Sequence, residues 1–335
     1  MEKLTKRQIE ALNIVVKNYI EKGEARGSHS LKAQFNVNFS AATLRNIMSD
    51  LEKKGYLTHL HTSSGKIPTP KGYRFYVENL LSLDDDKQVV FLGRRRSHID
   101  GIAETLENVV YEVSNISRCI SITSLNPTPF LKLKKISFIK VDENEILSII
   151  ASNIGIVESN IVCTEESFSQ EQLEEFSEYL SENYYDWRID DIQKDLLNSI
   201  LTHEDECKKL FLKAVEDCNR DRMYMAGQKN MLFYPEFVRD IDRLKKLLSV
   251  LERNKDILKL LEKVTKDKNP AIIIGEENPV EELRSTSIIA APYLLDENTV
   301  GVFSIIGPLR MDYERNIRLV SGTSKRISML LDRRI

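Results

Sequence analysis

"SAATLRNIMSDLEKKGYLTHLHTSSGKIPTPKGYRFYVENLL" spans residues 40–81, and its reading decides the fold of the N-terminal part of this chain. Ser40 stands just ahead of an apolar stripe, Leu44, Ile47, Met48 and Leu51, and Gly55 ends the run. A short hydroxyl residue satisfies the free N–H groups of a first helical turn, a 3.6-residue period buries one face, and glycine accepts the left-handed conformation that stops a helix. The remaining face carries Thr43, Arg45, Asn46 and Ser49, side chains that hydrogen-bond to base edges and phosphates. Residues 56–60 then read as a strand, Thr62, Ser63, Ser64 and Gly65 as a turn, and residues 66–69 as the returning strand. Gly65 is expected at positive φ, with Ser63, Ser64 and Lys66 within reach of a phosphate backbone at the hairpin tip. Pro68 and Pro70 end the pairing and open the next helix, because proline has no N–H for a ladder but suits a first helical turn.

Upstream, Leu4, Ile9, Leu12, Val15, Val16 and Tyr19 follow a helical period that stops at Gly23. "GSHSLKAQF" (residues 27–35) predicts a short second helix with Ser28 as its N-cap and Leu31, Ala33 and Phe35 on its packing side, and "NVNFS" is a turn. A short helix, a tight turn, a second helix with polar donors near its start and then a hairpin make a winged helix-turn-helix over residues 1–80. The same small core also mediates protein contacts, so pattern alone leaves both uses open. Charge favours nucleic acid. Residues 1–80 hold 13 Lys and Arg against 7 Asp and Glu, a balance of +6, whereas the whole chain carries −3. A basic head on an acidic body fits a nucleic-acid-binding segment joined to one that does not bind it.

A chain of 335 residues predicts two or three domains. Its first residues carry charges throughout, so no signal peptide is expected, and no run of roughly 18 apolar residues predicts a membrane helix. Cys119, Cys163, Cys207 and Cys218 have neither paired-ligand spacing nor the density of a disulfide framework. A reduced, cytoplasmic protein without membrane contact is expected.

"LSLDDDKQ" (residues 81–88) opens a polar joint expected over 81–97. "GRRRSH" (93–98) reads as a solvated face or as a DNA contact. Ile99, Ile102, Leu106, Val109, Val113 and Ile116 form a heptad seam that suits another chain or the protein's own sheet equally. Residues 133–162 alternate β-rich segments with turns, and residues 271–308 supply more strands. Over a hundred residues of mainly helical pattern separate the two blocks, so a shared sheet predicts an inserted domain. Residues 237–264 predict the longest helix, with Ile241, Leu244, Leu248 and Leu251 on one stripe. The chain closes in a helix ending with Ile327, Leu330 and Leu331.

"HEDEC" (203–207) places His203 and Cys207 at helical spacing, but a zinc site needs three or four converging ligands and none accompany them. "GEENP" (275–279) reads as a polar turn after a buried strand. No phosphate loop, dinucleotide fingerprint or nucleophile elbow occurs, so neither an enzyme nor a cofactor is expected.

Several long blocks are similar to one known family. They are "LTKRQIEALNIVVKNYIEKGEARGSHSL" (4–31), "SAATLRNIMSDLEKKGYL" (40–57), "HTSSGKIPTPKGYRFYVENLL" (61–81), "AGQKNMLFYPEF" (226–237), "IIIGEENPVEELRSTSIIAAPY" (272–293) and "GVFSIIGPLRMDYERNI" (301–317). In this order they resemble HrcA, the bacterial heat-inducible transcription repressor family. Lys66 and His29 depart from it by standing where the family pattern has arginine.

The resemblance implies a homodimeric repressor of heat-shock chaperone operons, bound to the double-stranded CIRCE inverted-repeat operator and held in its active form by the chaperonin GroEL. It implies an α+β multidomain fold: a winged helix-turn-helix at 1–80, a linker at 81–97, a GAF-like α/β domain at 98–165 and 237–335, and a mainly helical inserted dimerisation domain at 166–236. On this reading Thr43, Arg45 and Asn46 face bases, with Ser40 and Ala42 close by. Ser63, Ser64 and Lys66 hold the backbone or minor groove through the wing, and Arg26, His29 and Lys71 assist at phosphates. The alternative reading is a regulator whose GAF-like domain senses a small ligand. An enzyme with a regulatory winged-helix head is the third.

Overall fold

Thr5 begins the order of the head. Its hydroxyl accepts from the Gln8 amide while the Gln8 side chain accepts from the Thr5 N–H, a reciprocal cap on helix α1 (Lys6–Lys22). Gly23, at φ 68°, closes α1 in the left-handed conformation. The computed structural model describes residues 4–35, 38–59, 65–82, 102–125, 131–153, 157–198, 205–216, 222–264, 270–295 and 298–332. In helix α2 (Ser28–Phe35) the Leu31 N–H bonds to the carbonyl of Gly27, so Gly27 occupies the cap position and Ser28 lies inside the first turn, not at the expected N-cap. Ser40 does cap helix α3 (Ala41–Lys53), whose Leu44, Met48 and Leu51 are buried against α1.

Strands β1 (Leu57–His59) and β2 (Lys66–Pro68) pair antiparallel with His59 opposite Lys66, and Arg26 adds one further bridge to Lys66. Gly65 corrects an expectation. It is not among the positive-φ glycines, and a Cβ there would stand 2.5 Å from the Arg26 backbone, so glycine serves close approach and not a left-handed turn. Helix α4 (Pro70–Ser82) follows and runs into the first residues of the expected linker.

The body centres on an antiparallel sheet in the order β7-β3-β10-β9-β8. Its strands are β3 (Ile120–Leu125), β7 (Arg222–Ala226), β8 (Ala271–Ile274), β9 (Thr286–Leu295) and β10 (Asn298–Pro308). Helices α5 (Ile102–Ser117) and α12 (Tyr313–Asp332) cover one face. On the other face a second apolar cluster joins Ile120, Ile122, Val302 and Ile306 to Leu247, Val250, Leu251, Ile257 and Leu261. From Ile102 onward the heptad seam packs within the chain: Ile102, Leu106 and Val113 lie buried where α5 packs on β3 and β7, with Val110 joining them, and Ile99 lies outside the described residues.

Between β3 and β7 the chain builds a second unit. Strands β4 (Leu133–Lys140), β5 (Glu145–Ser152) and β6 (Val157–Cys163) form their own antiparallel sheet. Helices α6 (Gln170–Asn183), α7 (Ile189–Asn198) and α8 (Asp205–Glu216) accompany it. The sheet expected to unite residues 133–162 with 271–308 does not form, because the strand that pairs with β10 is β3. The chain between β3 and β7 therefore contains a sheet as well as helices. The hydroxyls of Ser177 and Ser181 on α6 accept from the Phe138 and Ile136 amides of β4, which binds strand and helix across the expected edge.

The long helix expected over 237–264 is three: α9 (Pro235–Val238), α10 (Ile241–Glu252) and α11 (Asn254–Val264). Asp240 caps α10 through the Arg243 amide, and Arg253 leaves helical geometry at ψ 71°. Ile241 is exposed, and Leu247 and Val250 take the core places instead. Of the described helices the longest is α12, at 20 residues.

Candidate nucleic-acid interface

Helix α3 presents its polar face outward because Leu44, Met48 and Leu51 face the core. Ala42, Arg45 and Asn46 are exposed, and Thr43 is half-buried beside them. Ser40 and Thr43 are already occupied with one another: their hydroxyls lie 2.8 Å apart, and the Ser40 oxygen also accepts from the Thr43 amide at 3.0 Å. These two therefore fix the start of the helix, while Arg45 and Asn46 project from its first turns as side chains able to read base edges.

At the other end of α3 one carboxylate organises the hairpin. Glu52 Oε2 accepts from Lys66 Nζ at 2.6 Å, Glu52 Oε1 lies 2.5 Å from His59 Nδ1, and Ser49 Oγ accepts from Lys66 Nζ at 3.1 Å. Lys66 first, then His59, hold the Glu52 carboxyl below the usual carboxylate range. Lys66 is only 17% exposed. Its ammonium thus points at α3, not out from the hairpin. Ser63 and Ser64 lie outside the described residues.

The three flanking cations differ. His29 is exposed on α2. Arg26 Nη1 donates to Gln34 Oε1 at 3.3 Å, and Lys71 Nζ donates to the Lys54 carbonyl at 2.8 Å while lying 4.4 Å from the centre of the Tyr56 ring. Lys71 therefore helps finish α3 by satisfying a terminal carbonyl. Glu52 and His59 were missed as site residues in the sequence. The available signal was the i, i+3 placement of Ser49 and Glu52 on the polar face of α3, directly before the strand that carries His59.

Residues 93–98 lie outside the described residues, as do the side chains of residues 203–207. Among the described residues no His, Cys, Asp and Glu gather in threes as a metal site, and no helix is long and apolar enough to cross a membrane.

Three helices and a two-stranded hairpin in this order, with α3 exposing its polar face, stand on the body of an α+β multidomain protein. The chain belongs to the HrcA family: residues 103–317 match the model of the HrcA protein C terminal domain. The Heat-inducible transcription repressor HrcA of Syntrophobacter fumaroxidans is 31% identical, covering 99% of both chains. That of Thermodesulfovibrio yellowstonii is also 31% identical over 98% of both. A solved structure described only as a hypothetical protein shares the fold, with a TM-score of 0.71 and 22% identity over 99% of this chain and 100% of its own.

Proposed function

We propose that this chain is a sequence-specific, DNA-binding transcription repressor of heat-shock chaperone operons. It works in the cytoplasm as a homodimer on the CIRCE inverted repeat, the chaperonin GroEL maintains its active form, and it catalyses no reaction. The observation that carries this reading is the exposed face of α3, where Arg45 and Asn46 stand clear of the core in a chain whose full-length relatives are named heat-inducible transcription repressors. Thr43, Arg45 and Asn46 read bases with Ser40 and Ala42 at their side, the hairpin meets the backbone through Ser63 and Ser64, and His29 and Arg26 assist at phosphates. The unit around β3 and β7–β10 serves as the GAF-like domain, and the unit from β4 to α8 as the dimerising insertion.

Fluorescence anisotropy on a labelled inverted repeat and a scrambled duplex, across a salt series, tests the proposal. Tight operator binding beside weak, steeply salt-dependent binding to the scramble is expected. Equal binding to both, with and without chaperonin, would refute it.

A further inference from the structure

One carboxylate of α3 ties both described strands of the hairpin to that helix. Glu52 takes one partner from each strand, His59 from β1 and Lys66 from β2, and those two residues are themselves opposite one another in the ladder. Ser49, one turn back on α3, takes a second proton of the same ammonium. Lys66 is anchored from behind as well, since its backbone bridges Arg26 and Gly65 packs tightly against the Arg26 backbone.

An ammonium paired at 2.6 Å with a carboxylate is close to neutral when seen from distances well beyond that separation. A free surface lysine would add one unit of sequence-independent attraction to any phosphate backbone. In this geometry Lys66 adds little, because two of its three ammonium protons are already committed to α3 and its charge is paired with Glu52.

We infer that Glu52 is a positioning residue for DNA recognition: it sets the angle of the hairpin to the recognition helix and withholds Lys66 from the phosphate backbone. This rests on the DNA-binding reading above and adds to it a source of discrimination. Lys66 contributes geometry, which every correct site needs, in place of charge, which every DNA offers. The lysine at this position suits such a role, because a compact point charge fits one carboxylate and one hydroxyl where a guanidinium would present a planar fork.

The test uses the full-length protein with Glu52→Gln and Lys66→Gln, each assayed for folding by circular dichroism and then for binding to the inverted repeat and to a scrambled duplex across a salt series. Glu52→Gln frees Lys66. Its affinity for the scramble is expected to rise, with the slope of log affinity against log salt steepening by about 0.9, the value for one added phosphate contact. Lys66→Gln is expected to weaken operator binding on the order of tenfold, the scale of a lost charge-assisted hydrogen bond, while leaving the wild-type salt slope in place. A merely structural Glu52 would not move the slope. The inference is overturned if Lys66→Gln lowers the slope by about 0.9 on both duplexes, which would make Lys66 a phosphate contact in the complex. It is equally overturned if neither variant changes slope or discrimination. A wild type that binds both duplexes alike would remove the recognition reading itself, an outcome distinct from either.

Discussion

Arg74 and Glu277, 203 residues apart in sequence, meet as a two-pronged ion pair between the head and the body. Arg74 Nε donates to Glu277 Oε1 at 2.7 Å, Nη2 donates to the second carboxylate oxygen, and Nη2 also reaches the Ile272 carbonyl at 2.7 Å. Glu277 in turn accepts from the Ile274 amide at 2.9 Å. Around this fork Pro70 packs on Gly275, and the rings of Tyr73 and Tyr313 lie 5.7 Å apart, both phenols pushed far above their ordinary pKa by burial. A second pair, Arg310 with Glu236 at 2.9 Å, sits where α1 ends at Gly23. Helix α4 is therefore seated on the turn after β8.

Arg74→Ala removes three charge-assisted hydrogen bonds and leaves the Glu277 carboxylate without its partner. A loss of about 1.5–3 kcal/mol in denaturant unfolding is expected. Hydrogen exchange at the Ile274 amide should quicken, since Glu277 is no longer held in place. Arg74→Lys should recover part of the stability but not all of it, because an ammonium cannot make the fork. Unchanged exchange at Ile274 in Arg74→Ala would show that the seat does not depend on this pair.

Arg45→Ala should separate recognition from stability. The side chain is exposed on the outer face of α3. Unfolding free energy is expected to change by no more than about 0.5 kcal/mol. Operator binding should weaken by about 1–3 kcal/mol, with relaxed specificity at one base pair if Arg45 grips a guanine. A loss of equal size on operator and scramble would instead make Arg45 a phosphate contact.

Gly65→Ala places a methyl group 2.5 Å from the Arg26 backbone. Neither backbone can yield cheaply, so the Arg26–Lys66 bridge must open, at a cost of about 1–3 kcal/mol. Differential scanning calorimetry measures this directly. A neutral result would mean that the hairpin is free to slide on the α1–α2 connection.

The lowered pKa of Glu52 makes a signed statement about acid. A carboxyl that binds protons more weakly when folded stabilises the head above its unfolded-state pKa, and that contribution disappears as pH falls through the lower folded value. The ordinary value is 4.5, so the melting temperature of the wild type should fall more steeply below pH 4.5 than that of Glu52→Gln. Parallel curves for the two proteins would show that the cluster contributes nothing to stability.

The head was legible in the sequence because its signals are local. The Ser40 cap, the Leu44–Met48–Leu51 stripe and the prolines after the hairpin each act within a few residues of their own position. The body was harder. Strand Ile120–Leu125 does alternate apolar and hydroxyl residues, but its partners β7 and β10 lie far along the chain, so no local signal assigned it to the central sheet. The break at Asp240 was missed because the apolar period continues across it and only the side-chain cap interrupts the backbone. At the interface, residue types on a helix face could be read directly. Which cations were already paired could not, since Glu52–Lys66 and Lys71–Lys54 contacts are made between elements.

Leu125 and Arg222 are direct partners across the β3–β7 ladder, yet the whole β4–α8 unit lies between them in the chain. The other neighbour of β3 is β10, which comes later in the chain still. A ribosome making this chain from its N-terminus thus produces β3 long before either flank exists to receive it. Ile120, Ile122 and Leu125 must wait with both strand edges open and no helix layer over their second face. Such a segment is prone to pair with whatever strand it meets first. The topology therefore builds a vulnerable interval into biosynthesis, one that ends only when the C-terminal strands arrive.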